Sequence, residues 1–178
     1  MYVWVGINVD DQLSEVRRLA SAAEAAVGTK NSCYTLPMHI SLKISFPVDD
    51  ARFDEIVDRI LDYFGTAKPF DASVRGVERE NTIAWIRYAE SDDLKALSVG
   101  LNEMLLRDFG IGLHPYDNDF KFHSTLFMDD DADKVVGALE RMGTLPLPDA
   151  IKVRRFVVGC SPTGALGTYQ VYREIMVE

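Results

Sequence analysis

One succession of elements is legible over residues 2–77 and again over 82–158: strand, helix, histidine-bearing strand, helix, strand, with one further strand left over at 167–177. A chain that repeats its own plan at this scale is confined to folds in which two like halves share a core, because each copy alone is too thin to close one. In the first copy, YVWVGINV at 2–9 is rich in β-branched and aromatic residues and predicts a strand. Asp10 and Asp11 follow, where carboxylates suit the positive end of a helix. Val16, Leu19, Ala20, Ala23, Ala26 and Val27 recur at three- and four-residue steps, predicting a helix over about 11–27 that stops at Gly28. Met38, Ile40, Leu42 and Ile44 alternate with His39, Ser41, Lys43 and Ser45, the period-two signature of a strand with one apolar and one polar face. Phe53, Ile56, Val57, Ile60, Leu61 and Phe64 then form a helical stripe between Asp49–Asp50 and Gly65, and 70–77 reads as a strand.

In the second copy, TIAWIRY at 82–88 is a strand, and Ser91 caps a helix that carries Leu94, Leu97, Leu101, Met104 and Leu105 to Gly110. FKFHSTLFM at 120–128 alternates again, with Lys121, His123 and Thr125 on one face. A short helix with Val135, Val136, Leu139 and Met142 follows Asp129–Asp131, then strands near 151–158 and 167–177. Helix openings near 11 and 92, and near 50 and 131, are each 81 residues apart, and His39 and His123 are 84 apart. The pattern predicts an α+β fold of one domain over 1–178. Its two lobes, 2–77 and 82–158, have pseudo-twofold symmetry, with two mainly antiparallel sheets facing a central cleft and helices on the outer faces.

Composition narrows the class. The 178 residues suit one domain, and 47% hydrophobic with 26% charged residues excludes disordered, collagenous and disulfide-scaffold chains. No apolar run approaches the roughly 18–20 residues that span a bilayer, and the N-terminus lacks a basic segment before an apolar one. The expectation is a cytoplasmic monomer with no membrane partner. A net charge of -9 repels duplex DNA and leaves open a small anionic ligand held in a locally basic cleft. Cys33 and Cys160 lack a CxxC partner and read as reduced thiols.

Both copies carry a histidine, a spacer, a hydroxyl residue and a leucine: His39-Ile40-Ser41-Leu42 and His123-Ser124-Thr125-Leu126. Residues two apart on a strand share a face, so each imidazole and its hydroxyl partner project together, and facing sheets bring the two sets into one space. One neutral imidazole can then deprotonate an attacking hydroxyl while the other, protonated, donates to the leaving oxygen. Ser41 and Thr125 can donate to non-bridging phosphoryl oxygens. By parity Lys43 and Lys121 also lie on the histidine faces and are candidates for neutralising phosphate. Arg75 and Arg154, in the third strands, are further candidates.

On these two motifs and the doubled element order, the sequence resembles the 2H phosphoesterase superfamily, which includes the 2′-5′ RNA ligase-like and cyclic nucleotide phosphodiesterase branches. The resemblance covers most of the chain. It implies a bilobed fold, His39 and His123 as catalytic residues, and metal-independent reaction at 2′,3′-cyclic phosphates, 2′-5′ linkages or related small cyclic phosphodiesters, without a cofactor. A nucleotide or an RNA end is the implied partner. Two positions depart from the commonest family pattern: Phe122 precedes the second histidine where many members carry proline, and Ser41 stands where threonine is commoner. Neither removes a required atom.

Competing readings are a non-catalytic protein that binds nucleotides or phosphorylated metabolites, and acyl or sugar-phosphate chemistry on the same two histidines. Tyr34, Tyr116 and Tyr169 lie in loop-like or strand-edge contexts from which an aromatic face can stack on a nucleobase, but they read first as core packing or turn residues. His114, before a proline and without a counterpart in the other copy, reads as loop. Asp49–Asp50 and Asp129–Asp131 read as helix-terminal charge and caps instead of metal ligands. SPTGALGT at 161–168 lacks Walker spacing and reads as a hairpin loop.

Overall fold

A computed structural model of the chain describes residues 1–29, 35–117 and 121–178. Cys33, Tyr34 and Phe120 fall outside these, as does the side chain of Tyr116. The strands are β1 (Tyr2–Asn8), β2 (His39–Pro47), β3 (Phe70–Glu80), β4 (Ile83–Tyr88), β5 (His123–Met128), β6 (Ala150–Val153), β7 (Arg155–Ser161) and β8 (Gln170–Met176). The helices are α1 (Ser14–Val27), α2 (Phe53–Gly65), α3 (Asp92–Phe109) and α4 (Ala132–Met142).

The chain forms two four-stranded antiparallel sheets, ordered β2-β1-β7-β8 and β5-β4-β3-β6. The sheets do not follow the two halves of the sequence. β3, which closes the first half, pairs with β4 of the second, and β7, from the second, pairs with β1 of the first. What reads as one strand near 151–158 is therefore two. β6 ends at Val153, Arg154 leaves the ladder to face Asp11 at 3.4 Å, and β7 continues in the other sheet.

Hydrophobic alternation builds the core. Val3, Val5 and Ile7 of β1 and Ile40 and Leu42 of β2 are fully buried, and they pack in one cluster with Ile56, Val57, Ile60 and Phe64 of α2 and Leu94, Leu101 and Leu105 of α3. Phe64 stacks on Phe156 of β7 with centroids 4.2 Å apart. α2 lies against β7 and β8, α3 against β2, and α1 against α4. Capping follows the residue types. Ser91 accepts from Leu94 N, Asp131 from Asp133 N and Asp49 from Ala51 N, while Gly28 and Gly110 end their helices at φ 73° and 70°. The Asp10–Asp11 pair does not cap α1, which starts later at Ser14. Asp10 turns instead to Met38 N at 3.0 Å and to the Arg17 guanidinium at 2.5 Å, and so ties the approach to β2 down.

Strand alternation fails at Lys43, and a bulge explains why. Val5 pairs with Lys43 but Gly6 pairs with Ser41, so β2 holds an extra residue and its parity flips. Lys43 turns inward to 1% exposure, where its ammonium donates to Asp117 at 2.5 Å and to the Gly112 carbonyl at 3.0 Å. The lysine expected to neutralise phosphate is consumed by an internal carboxylate. Asp117 also accepts from His114 N at 2.7 Å, so the ion pair anchors the 112–117 loop against β2. Removing one member leaves a buried charge without its partner. Asp117→Ala is therefore expected to lower unfolding free energy in a urea titration by about 3–5 kcal/mol. A loss below about 1 kcal/mol would show that the pair carries no structural weight.

Candidate active site between the two sheets

His39 and His123 are each the first residue of an edge strand, β2 and β5, and those two strands meet across the sheets. His39, Ser41, His123 and Thr125 are half-buried, whereas Ile40, Leu42, Ser124 and Leu126 between them are buried. Ser124 satisfies its hydroxyl internally, 2.9 Å from the Tyr88 hydroxyl. A cavity of about 210 Å³ is lined by His39, Ser41 and Ile44 of β2, Thr125 of β5, and Trp4 of β1, with Leu166 and Tyr169 closing one side. The 161–168 hairpin loop carries Leu166 there, and its Gly164 and Gly167 take the positive φ values, 73° and 79°, that the turn requires.

The two imidazoles are held the same way. His39 Nδ1 lies 2.7 Å from the Pro37 carbonyl and His123 Nδ1 lies 2.6 Å from the Lys121 carbonyl, each two residues upstream. A carbonyl oxygen only accepts, so Nδ1 carries the proton in the neutral ring and Nε2 keeps its lone pair for other work. Burial drives the His39 pKa down to about 4, against the pull of the Pro37 carbonyl, and the nearby charges of His123 and Arg17 push the same way. Burial also lowers the His123 pKa, opposed by the Lys121 carbonyl and assisted by Arg87. The contact of β2 with β5 brings the two histidine strands together, and the cavity lining takes His39, Ser41 and Thr125 but not His123.

Of the cationic candidates, Lys121 precedes β5 with an exposed side chain and gives His123 its carbonyl. Arg75 is exposed, and Arg154 faces Asp11. Beside His123 stands Arg87, its register partner, whose side chain is 13% exposed and meets Glu78 at 3.1 Å. His114 lies in the loop, as its context predicts. Tyr169 is in the cavity wall, with its hydroxyl bonded to Ser45.

Two residues escaped the sequence reading. Trp4 sets its ring edgewise to His39, with centroids 4.3 Å apart, and Trp85 stands 5.0 Å from His123. They are the chain's two tryptophans, and they are 81 residues apart, the spacing that already relates the helix openings.

The chain belongs to the 2′-5′ RNA ligase superfamily, whose sequence profile matches residues 6–158. That membership makes it a protein of the 2H phosphoesterase type. TT0787 of Thermus thermophilus is similar in structure with a TM-score of 0.60 at 17% identity, over 99% of this chain and 97% of that one. LigT of E. coli, solved with 3′-AMP, gives 0.59 at 14% identity over 98% and 96%. A protein described as a phosphoesterase gives 0.57 at 15% over 98% and 97%. E. coli LigT has also been solved with ATP and with NADP+. No curated protein sequence matches. Among the described residues, no helix is long and apolar enough to cross a membrane.

The depressed histidine pKa has a consequence for pH. Between about pH 4 and the unfolded value near 6.5, the unfolded chain binds the proton that folded His39 refuses, so stability rises with pH across this window and falls as acid is added. Long-range proton–nitrogen NMR is expected to show His39 as the neutral Nδ1–H tautomer down to about pH 4. A His39 titration at or above about 6.5 would contradict the burial seen here.

Proposed function

We propose that the protein is a metal-independent phosphoesterase that opens 2′,3′-cyclic phosphates, 2′-5′ phosphodiesters or related small cyclic phosphodiesters by two-histidine acid–base catalysis. The observation that carries this reading is the matched pair of imidazoles, each pinned through Nδ1 and each followed two residues later by a hydroxyl on the same strand face. Family membership and the nucleotides found on E. coli LigT support a nucleotide-like substrate. An RNA end bearing such a phosphate offers the same chemistry.

In the proposed step, Nε2 of one neutral histidine takes a proton from water as the water oxygen bonds to phosphorus. The bond to the departing 2′ or 3′ oxygen breaks, and Nε2 of the other, protonated histidine supplies that oxygen with its proton. His39, held neutral to about pH 4, has the free Nε2 lone pair that the base requires. Ser41 and Thr125 donate to the non-bridging oxygens, where charge is held through the transition state. Lys121, exposed just before β5, supplies positive charge on the His123 side, where Arg87 already meets Glu78.

His39→Ala and His123→Ala are each expected to reduce hydrolysis of 2′,3′-cyclic AMP by about 10²–10⁴-fold without unfolding the protein, in the presence of a chelator. Retained turnover in either variant removes that histidine from the mechanism. Nucleotide binding by calorimetry with no product from the wild type would instead establish the binding-protein reading.

A further inference from the structure

We propose that Trp4 is a positioning residue that fixes the Ser41 hydroxyl as a hydrogen-bond donor toward the phosphoryl group, an inference that rests on the phosphate-binding reading of this cavity. The indole Nε1 lies 2.9 Å from Ser41 Oγ. An indole N–H can only donate, so Ser41 Oγ must accept it. The serine's own proton is then directed elsewhere, and among the described residues its hydroxyl donates to no protein acceptor. What remains beside Ser41 is the cavity that it lines with His39 and Thr125. A hydroxyl that already accepts from the indole keeps its proton for the cavity, which suits an anionic oxygen that can only accept.

The sheet is built to hold the indole in this place. Trp4 is 6% exposed, yet it stands outside the main core, in a small cluster with Leu36, Val157 and Tyr169. It lies over two glycines. A Cβ added at Gly6 would stand 2.7 Å from Cη2 of the ring, and one added at Gly159, the cross-strand partner of Trp4, would stand 3.0 Å from Cε3. Flanking residues without side chains leave a floor on which the indole rests, with its N–H aimed at Ser41 and its ring edgewise to His39. The second half does not repeat the device: Trp85 sends its N–H toward Glu78 at 3.5 Å, not toward Thr125. The two hydroxyls therefore differ: among the described residues, Ser41 has a side-chain donor that orients it and Thr125 has none.

A double-mutant cycle separates this role from simple packing. Trp4→Phe keeps an aromatic ring and deletes the N–H. It is expected to lower kcat/KM on 2′,3′-cyclic AMP by about 3–10-fold. It is also expected to weaken binding of adenosine 3′-monophosphate in wild-type background, and to add nothing in a Ser41→Ala background. Gly159→Ala, which presses on the ring from below, is expected to show the same dependence on Ser41. Equal losses in both backgrounds, or no loss in either, would overturn the proposal, because a structural tryptophan acts whether or not Ser41 keeps its hydroxyl. If the wild type turns nothing over but still binds the monophosphate, the function proposed above fails while the binding arm of the cycle still decides the role of Trp4. If the wild type neither binds nor reacts, both fall.

Discussion

A backbone carbonyl two residues upstream decides what His39 and His123 can do. In solution the imidazole proton exchanges between two nitrogens, but a carbonyl oxygen offers only lone pairs, so the Pro37 and Lys121 oxygens select one tautomer in both halves. The nitrogen left free is the same one in each ring. Tautomer, ring angle and burial are thus set by main chain and strand position, before any ligand arrives. Acid–base work of the kind proposed needs a proton acceptor already formed and aimed, and this arrangement supplies it without a third side chain.

The carbonyls can hold the rings only if their strands stay put, and the crossing of strands between sheets secures that. Because β3 leaves the first half to pair with β4, and β7 returns to pair with β1, neither sheet can be completed by one half of the chain alone. The edge strands β2 and β5 are consequently brought against each other with a histidine at the head of each. On the approach to β2, Asp10 and Arg17 pin the segment that contains Pro37, and on its far side the buried Lys43–Asp117 pair pins the neighbouring loop.

Much of this architecture can be read from residue order. Alternation and helical stripes locate nearly every element, and Ser91, Gly28, Gly110 and Asp131 act as their residue types predict, because caps depend on neighbours only a few residues away. The misreadings occur where distant chain decides. Lys43 sits one residue beyond a bulge, and a bulge is a property of the pairing with β1, not of β2 itself. The break at Arg154 divides a continuous apolar run because its two ends join different sheets. Asp10 looks like a helix cap until Met38 and Arg17, brought in by the fold, claim its carboxylate. The histidine–hydroxyl pairs are visible because side chains two apart on a strand share a face wherever the strand lies. Trp4 and Trp85 are visible too, at the repeat spacing of 81, but tryptophan in a strand reads first as core, and only the contact with each histidine shows another use.

The proposed chemistry requires both imidazoles to address one phosphorus atom. A direct measurement is a titration of the wild-type protein with adenosine 3′-monophosphate, followed through the Nε2 resonances of His39 and His123 in a long-range proton–nitrogen spectrum. The two resonances are expected to shift together along one saturation curve with a stoichiometry of one nucleotide per chain. Movement of only one histidine, or two curves with different midpoints, would contradict it.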